Sequence, residues 1–99
     1  CTANVWLVTP EFIYVANAGD SRGVACINGP VNRCLRIISL TQNLLDRIKK
    51  AGGEVSYGRV NGNLNLSRAF GDLEYKQNTK LPQEEQMITA NPDIAKIKN

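Results

Sequence analysis

No histidine occurs anywhere in the sequence. That absence takes away the usual general base of a serine or cysteine nucleophile and the commonest nitrogen ligand for zinc. Cysteine is scarce: Cys1, Cys26 and Cys34 are odd in number and never take a CxxC spacing, which excludes a zinc knuckle and a dithiol redox motif. Buried or idle thiols in a reducing compartment are expected instead. No apolar run approaches the roughly 20 residues that a membrane-spanning helix requires, and no basic segment followed by a long apolar stretch marks a secretory leader. The acids Glu11, Asp20, Asp46, Glu54, Asp72, Glu74, Glu84, Glu85 and Asp93 form no DxD or ExxE cluster. "AGG" and "NGN" lack the GxxxxGK(S/T) or GxGxxG spacing that folds amides around a phosphate, which argues against a nucleotide site.

Charge of one sign is also missing. Twelve basic residues against nine acidic ones leave a net charge of +3, but Lys49-Lys50 and Lys96-Lys98 are the only close basic pairs. That scatter builds no nucleic-acid stripe. An intracellular chain, cytoplasmic or nuclear, with no nucleic-acid or membrane partner is the expectation. The 99 residues, 42% of them hydrophobic, suffice for one small domain at most. The chain opens on a strand pattern at Cys1-Thr2-Ala3 without a methionine and closes on another in "PDIAKIKN", the pattern expected of an excerpt from a longer domain.

What is present is mostly strand followed by one helix. Thr2 to Val8 is apolar and β-branched, "TPEF" makes a tight turn, and Phe12 to Ala16 forms a second strand. Arg22 to Ile27 and Val31 to Leu40 add a third and a fourth, so that an antiparallel meander is predicted, with Val5, Leu7, Ile13 and Val15 sharing one buried interior. The period then changes. Leu44, Leu45, Ile48 and Ala51 recur at spacings of three and four, Thr41 suits an N-cap, and Gly52-Gly53 ends a short amphipathic helix. Two short strands around an irregular loop are expected within Glu54 to Asn63. Leu64, Leu66 and Arg68 alternate like a further strand that Gly71-Asp72 breaks. Residues 77 to 86 look polar and flexible, and "MITANPDIAKIK" resumes extended structure with Ile94 and Ile97 as its last apolar anchors.

One stretch carries a chemical suggestion. In "YVANAGDSRGV" a strand runs into Gly19-Asp20 and restarts after Ser21-Arg22. One reading is a hairpin turn, since glycine supplies positive φ and aspartate caps its own backbone. The other is a turn that aims the Asp20 carboxylate at a hard divalent cation, which prefers oxygen ligands. The residues alone leave both open.

Four stretches in this order, "CTANVWLV", "YVANAGDSRGV", "RIKKAGGEVSYGRVNGNLNLSRAFGD" and "YKQNTKLPQEEQMITANPDI", resemble the type 2C, metal-dependent serine/threonine protein phosphatases. The resemblance implies an α+β fold, an antiparallel β-sandwich flanked by helices, of which only a part is present. It implies one partial domain over residues 1–99: sheet strands in 1–40, helix and flap in 41–63, and remaining strands and loop in 64–99. It also implies a reaction in which a water bridging two metal ions, Mn²⁺ or Mg²⁺, attacks the phosphorus of a phosphoserine or phosphothreonine without a covalent phosphoenzyme. Such chemistry needs no histidine or cysteine nucleophile.

The family's motifs transfer residue by residue. Asp20 matches an aspartate near the metal cluster that helps some members hold a third ion, and the resemblance favours this metal role over a plain turn. Gly52-Gly53, Arg59 and Asn61-Gly62 match the flap, an irregular insertion beside the site that helps choose substrates. Arg59 is therefore expected either to meet a substrate phosphate, which a guanidinium can grip bidentately, or to form a salt bridge across the flap. Asp72 is expected to be a turn acid pairing with backbone or with Arg68. No catalytic residue is assigned within the chain. The acids that hold the two principal ions in the family belong to segments before the first strand and after the last, and the Asp-His-Lys-Pro stretch usual before the helix is replaced by "SLTQNLLDRI". The expected partners are a phosphoprotein substrate and the rest of the phosphatase domain, and the isolated chain is expected to be inactive. A phosphatase-like binding or regulatory module without catalysis is the alternative.

Overall fold

The computed structural model describes residues 1–26, 34–37 and 43–99. Its elements are β1 (Ala3–Val8), β2 (Phe12–Ala18), β3 (Gly23–Cys26), β4 (Cys34–Ile37), α1 (Asn43–Lys50), β5 (Val55–Ser56), β6 (Arg59–Val60) and β7 (Asp93–Lys98), with single 3₁₀ turns at Leu73–Tyr75 and Gln83–Glu85. The result is an α+β arrangement built on antiparallel strand pairs and one helix. Thr41, the expected N-cap, lies outside the described residues. No helix among them is long and apolar enough to cross a membrane.

The first two strands pair antiparallel as expected, but the meander stops there. The three-stranded sheet has the order β1-β2-β7, and among the described residues β3 pairs with β4 in a separate ladder. Gly19, at φ 114°, turns the chain away after β2, so the second edge of β2 is left for β7, which runs from Phe12↔Lys98 to Asn17↔Asp93. Gly19-Asp20 is therefore not a hairpin connection, because the strands on either side of it do not pair.

The register also corrects the expected interior. Thr9 closes the first turn by donating its backbone N–H to the Phe12 carbonyl at 2.8 Å, while its hydroxyl accepts the Phe12 N–H at 2.9 Å. This turn sets Val8 opposite Ile13 and Trp6 opposite Val15, while Val5 faces Ala16 and Leu7 faces Tyr14. Directly paired residues share a sheet face, so Val5 and Leu7 point away from Ile13 and Val15. Val15 is fully buried and Ile13 nearly so, whereas Val5 and Leu7 are each 61% exposed. Ile94, expected to anchor the last strand, continues the Val5–Ala16 row and is 72% exposed. Ile97 is half-buried beside Ile13. Lys96 covers the far end of the same face, its Nζ 3.8 Å from the Phe12 ring centroid.

The second layer is organised by α1. Ile48, Val60, Ala69 and Ile88 form a buried cluster, against which Leu44, Leu64, Leu66, Tyr75 and Met87 pack. The helix ends as its glycines predict. Gly52 takes φ 89°, its N–H donates to the Lys49 carbonyl at 3.0 Å, and the Gly53 N–H reaches the Ile48 carbonyl at 2.9 Å, the bond pattern of a Schellman cap. Leu45, counted on the apolar face from its spacing, is instead exposed.

Two stretches differ from expectation because long-range hydrogen bonds replace local pattern. Leu64 to Arg68 forms no strand. Its leucines turn to the helix, and only isolated bridges, Val60↔Leu64 and Arg68↔Thr89, are made. Residues 77 to 86 are tied down by Gln86, which is buried, donates from Nε2 to the carbonyls of Asn78 at 2.7 Å and Leu81 at 2.9 Å, and accepts the Asn78 N–H at 3.1 Å. A buried side-chain amide thus does the work of a ladder in a mostly polar stretch. The cysteines differ too: Cys1 is exposed and free, and Cys26, exposed and opposite Cys34 in the β3–β4 register, is disulfide-bonded.

Two consequences are measurable. In the intact parent protein, Ile88→Ala removes most of a fully buried side chain from the helix cluster and is expected to cost about 2–5 kcal/mol, read as a lowered urea midpoint; a change under about 0.5 kcal/mol, the scale of surface substitutions, would contradict the core assignment. The open Val5–Ala16–Ile94 row predicts that the 99-residue chain self-associates and melts at low temperature without a sharp transition, and that Val5→Lys with Ile94→Lys shifts it toward monomer in sedimentation velocity.

Candidate functional site

The turn after β2 is over-determined. Asn17, buried at 4% exposure, donates from Nδ2 to the Gly19 carbonyl at 2.9 Å and accepts from Asn4 Nδ2 at 3.0 Å. Thr2 and Ser21 join their hydroxyls at 2.7 Å across the base of the turn. A Cβ at position 19 would run into the Thr2 side chain and stand 3.0 Å from the Arg68 carbonyl oxygen, so only glycine fits there. Asp20 follows at once, exposed, and its carboxylate makes no hydrogen bond or ion pair among the described residues.

Asp20 stands at the rim of a cleft of about 220 Å³ between this turn, α1 and the β5–β6 hairpin. Leu44 and Ile48 give it an apolar floor, Val55 and Gly58 a wall, and Arg22, Arg68 and Asp93 join Asp20 as its charged groups. Arg68 pairs with Asp93, Nη2 to Oδ1 at 3.1 Å, and also donates to the Asn91 carbonyl. Asp72 was expected to pair either with backbone or with Arg68, and it does not pair with Arg68. Asp72 instead sits in left-handed conformation after Gly71, its carbonyl accepting the Tyr75 N–H at 3.0 Å. The Arg68–Asp93 pair escapes a local reading because its members lie 25 positions apart, and the Arg68↔Thr89 bridge, together with the β2–β7 register that places Asp93 opposite Asn17, brings them together.

Behind Arg68 lies a second guanidinium. Arg47 of α1 donates from Nη2 to the Ser67 carbonyl at 2.6 Å, and its Nε is buried without a partner. Burial, and after it the positive charge of Arg68, lower the Arg47 pKa below the ordinary arginine value, and Asp93 acts in the opposite sense. Arg47 holds the carbonyl of Ser67, the residue before Arg68, and Arg68 in turn holds the Asn91 carbonyl and the Asp93 carboxylate. Together they fix the cleft side that carries Arg68 between α1 and β7.

The two short strands expected within Glu54 to Asn63 are β5 and β6, which pair antiparallel. Asn61 and Gly62 take positive φ, and Asn61 exchanges bonds with Glu54, giving its N–H to the Glu54 carbonyl at 2.7 Å and accepting the Glu54 N–H on Oδ1 at 3.1 Å. Arg59 is exposed and donates from Nη1 to the Asn63 carbonyl at 2.8 Å. It does not line the cleft, so Asp20 and Arg59 are not brought into one cavity; the hairpin's contribution to the cleft comes from Val55, Gly58 and Val60. Arg22 beside Asp20 went unassigned in the sequence reading, although its position two residues after Asp20 was a usable signal.

The donor set decides what ion chemistry these residues can support. Among the described residues no group of three or more histidine, cysteine, aspartate or glutamate side chains could hold a metal ion. Of the two carboxylates on the cleft, Asp93 is engaged by Arg68 and only Asp20 is open. A two-ion centre takes several oxygen ligands per ion, so the residues present do not fit it and supply at most one auxiliary ligand.

Comparison with known proteins agrees with the arrangement. A family model described as "Protein phosphatase 2C" matches residues 1–99. The chain is 56% identical over 99 residues to "Probable protein phosphatase 2C 4" of Paramecium tetraurelia, covering 98% of this chain and 33% of that protein. It is 46% identical over 104 residues to "Probable protein phosphatase 2C 21" of Arabidopsis thaliana, covering 98% of this chain and 28% of the relative. The chain thus spans about a third of the length of the curated relatives it matches. Among solved structures, a phosphatase from a pathogenic strain of Toxoplasma gondii superposes with a TM-score of 0.76 at 36% identity, over 88% of this chain and 28% of that one. A match that runs the full length of residues 1–99, and a fold shared with a solved phosphatase, place this chain in the protein phosphatase 2C family.

Proposed function

We propose that the chain is the sheet-and-flap part of a protein serine/threonine phosphatase that depends on Mn²⁺ or Mg²⁺, and that its 99 residues alone do not catalyse. The observation that carries this reading is the open Asp20 carboxylate, held by a glycine-specific turn at the rim of a cleft, in a chain that matches the phosphatase family end to end. In the reaction, water adds to the phosphorus of a phosphoserine or phosphothreonine, the bond from phosphorus to the side-chain oxygen breaks, and that oxygen leaves with a proton. The ions would be held mainly by acids elsewhere in the parent protein, with Asp20 as the contribution of this segment. Asp20 suits such a duty because its own partners are few while the backbone beneath it is fixed. Arg59, exposed on the flap and bonded only to a neighbouring carbonyl, is the group here proposed to meet the phosphoprotein substrate.

The test compares the intact parent protein with the isolated chain in millimolar Mn²⁺, using a phosphothreonine peptide and p-nitrophenyl phosphate. The parent is expected to hydrolyse both and the 99-residue chain neither. Asp20→Ala in the parent is expected to lower metal-dependent turnover about tenfold or more, with a raised Mn²⁺ requirement. Turnover by the isolated chain that vanishes with Asp20→Ala would mean that the residues present build a complete site, and would overturn the proposal. A parent without activity toward either substrate would favour the binding-module alternative.

A further inference from the structure

Arg68 reaches the turn that carries Asp20 by two routes. The first is its backbone: the Arg68 carbonyl oxygen stands 3.0 Å from where a Cβ on Gly19 would lie, so the two main chains meet with no side chain between them. The second runs through its side chain. Nη2 meets Asp93 Oδ1 at 3.1 Å, Asp93 stands opposite Asn17 in the β2–β7 register, and Asn17 donates from Nδ2 to the Gly19 carbonyl at 2.9 Å. The path that leaves the Arg68 guanidinium therefore returns to the Arg68 carbonyl, and Gly19 is where the two routes join.

The backbone of Arg68 is itself pinned on both sides. Arg47 holds the Ser67 carbonyl at 2.6 Å, the Ala69 N–H donates to the Thr89 carbonyl at 3.0 Å, and Thr89 returns its N–H to the Ser67 carbonyl at 3.3 Å, with Ala69 and Thr89 both buried. Arg68 and Asp93 line the cleft, yet each is engaged by the other, and Arg68 gives its Nη1 to the Asn91 carbonyl as well. A planar guanidinium serves two acceptors at fixed angles, which a lysine ammonium cannot do with the same precision. Asp20 has no such bonds, so the place of its carboxylate is inherited from Gly19.

Resting on the phosphatase reading above, we infer that Arg68 is a positioning residue for Asp20: through Asp93 and Asn17, and through its own carbonyl, it fixes the turn from which that carboxylate is presented. In the intact parent protein, Arg68→Met is expected to lower kcat about fivefold on both a phosphothreonine peptide and p-nitrophenyl phosphate with KM unchanged, the effect of a displaced functional group. Asp93→Asn, which keeps Arg68 and removes the charge it holds, should do the same, and it carries the test if Arg68→Met fails to fold. Each loss should shrink below about twofold once Asp20→Ala is already present, because a residue that acts through Asp20 then has nothing left to position. Arg68→Lys, which can meet Asp93 without also holding Asn91, should fall between. Amide hydrogen exchange across residues 17–22 should quicken in Arg68→Met and in Asp93→Asn. A loss that persists in full in the Asp20→Ala background would overturn the inference, as would a raised KM for Arg68→Met with Asp93→Asn unaffected, since either result gives Arg68 its own contact with substrate. Unchanged exchange at 17–22 would overturn it too. A parent that hydrolyses neither substrate refutes the phosphatase reading instead, and the exchange measurement then decides by itself whether Arg68 holds the turn.

Discussion

The amide of Asn17 is the interaction on which the described structure turns. It lies on the central strand of the three-stranded sheet, nearly closed to solvent, where an unsatisfied polar group would cost about 1–3 kcal/mol. Both of its ends are used: Oδ1 accepts from Asn4 on β1, and Nδ2 holds the Gly19 carbonyl. Its backbone partner on the other side is Asp93, the first residue of β7 and the carboxylate that holds Arg68. One residue thereby ties both neighbouring strands to the turn that presents Asp20, β1 through its side chain and β7 through its backbone. The Asn4 amide in turn accepts the Trp6 indole N–H, so the network is closed along β1 as well.

The electrostatics of the cleft follow from that frame. Arg68 is mostly covered, with its side chain 19% exposed, and its charge is met by Asp93 at 33%. Withdrawing charge of one sign from water is tolerable only when the opposite sign comes with it. Among the described residues Arg47 pairs with no carboxylate and is held by the Ser67 carbonyl, and burial, then Arg68, lower its pKa. The pair Arg68–Asp93 therefore consumes one of the two acids on the cleft and leaves Asp20 as the free one. That division of labour is a consequence of the fold, and no spacing in the chain expresses it.

How far the fold was legible follows the range of the interaction concerned. Local rules read correctly: the Schellman cap at Gly52-Gly53, the helix of Leu44 and Ile48, the antiparallel pairing of β1 with β2, and the paired short strands of the flap. Features set by parity or by distant partners did not. Alternation in Val5, Leu7, Ile13 and Val15 cannot show which residues share a face until the Thr9 turn fixes the register, and the same chain slipped by one residue would have matched the expectation. The meander failed because β7 arrives some 75 residues after β2 to take the edge that β3 was expected to fill. At the site, Asp20 was visible through the motif around it, whereas Asp93 and Arg68 carry no sequence mark of their meeting.

The exposed and buried faces together say what kind of object this segment is. One sheet face, with Val5, Leu7 and Ile94 open, has the composition of an interior, while the other carries buried Val15 and Ile13. Strands of the first kind are stable when covered, and the chain spans only about a third of its curated relatives. The cleft is incomplete in the same sense: it has a fixed carboxylate, an apolar floor and a hairpin wall, and its donor set falls short of an ion centre. The parts that are complete here are those that hold shape, namely the Asn17 network, the Arg47 and Arg68 grips and the helix cap. The part left open on the cleft is Asp20, an exposed carboxylate on an over-determined turn, so rigidity lies in the backbone beneath it while the side chain itself stays free among the described residues.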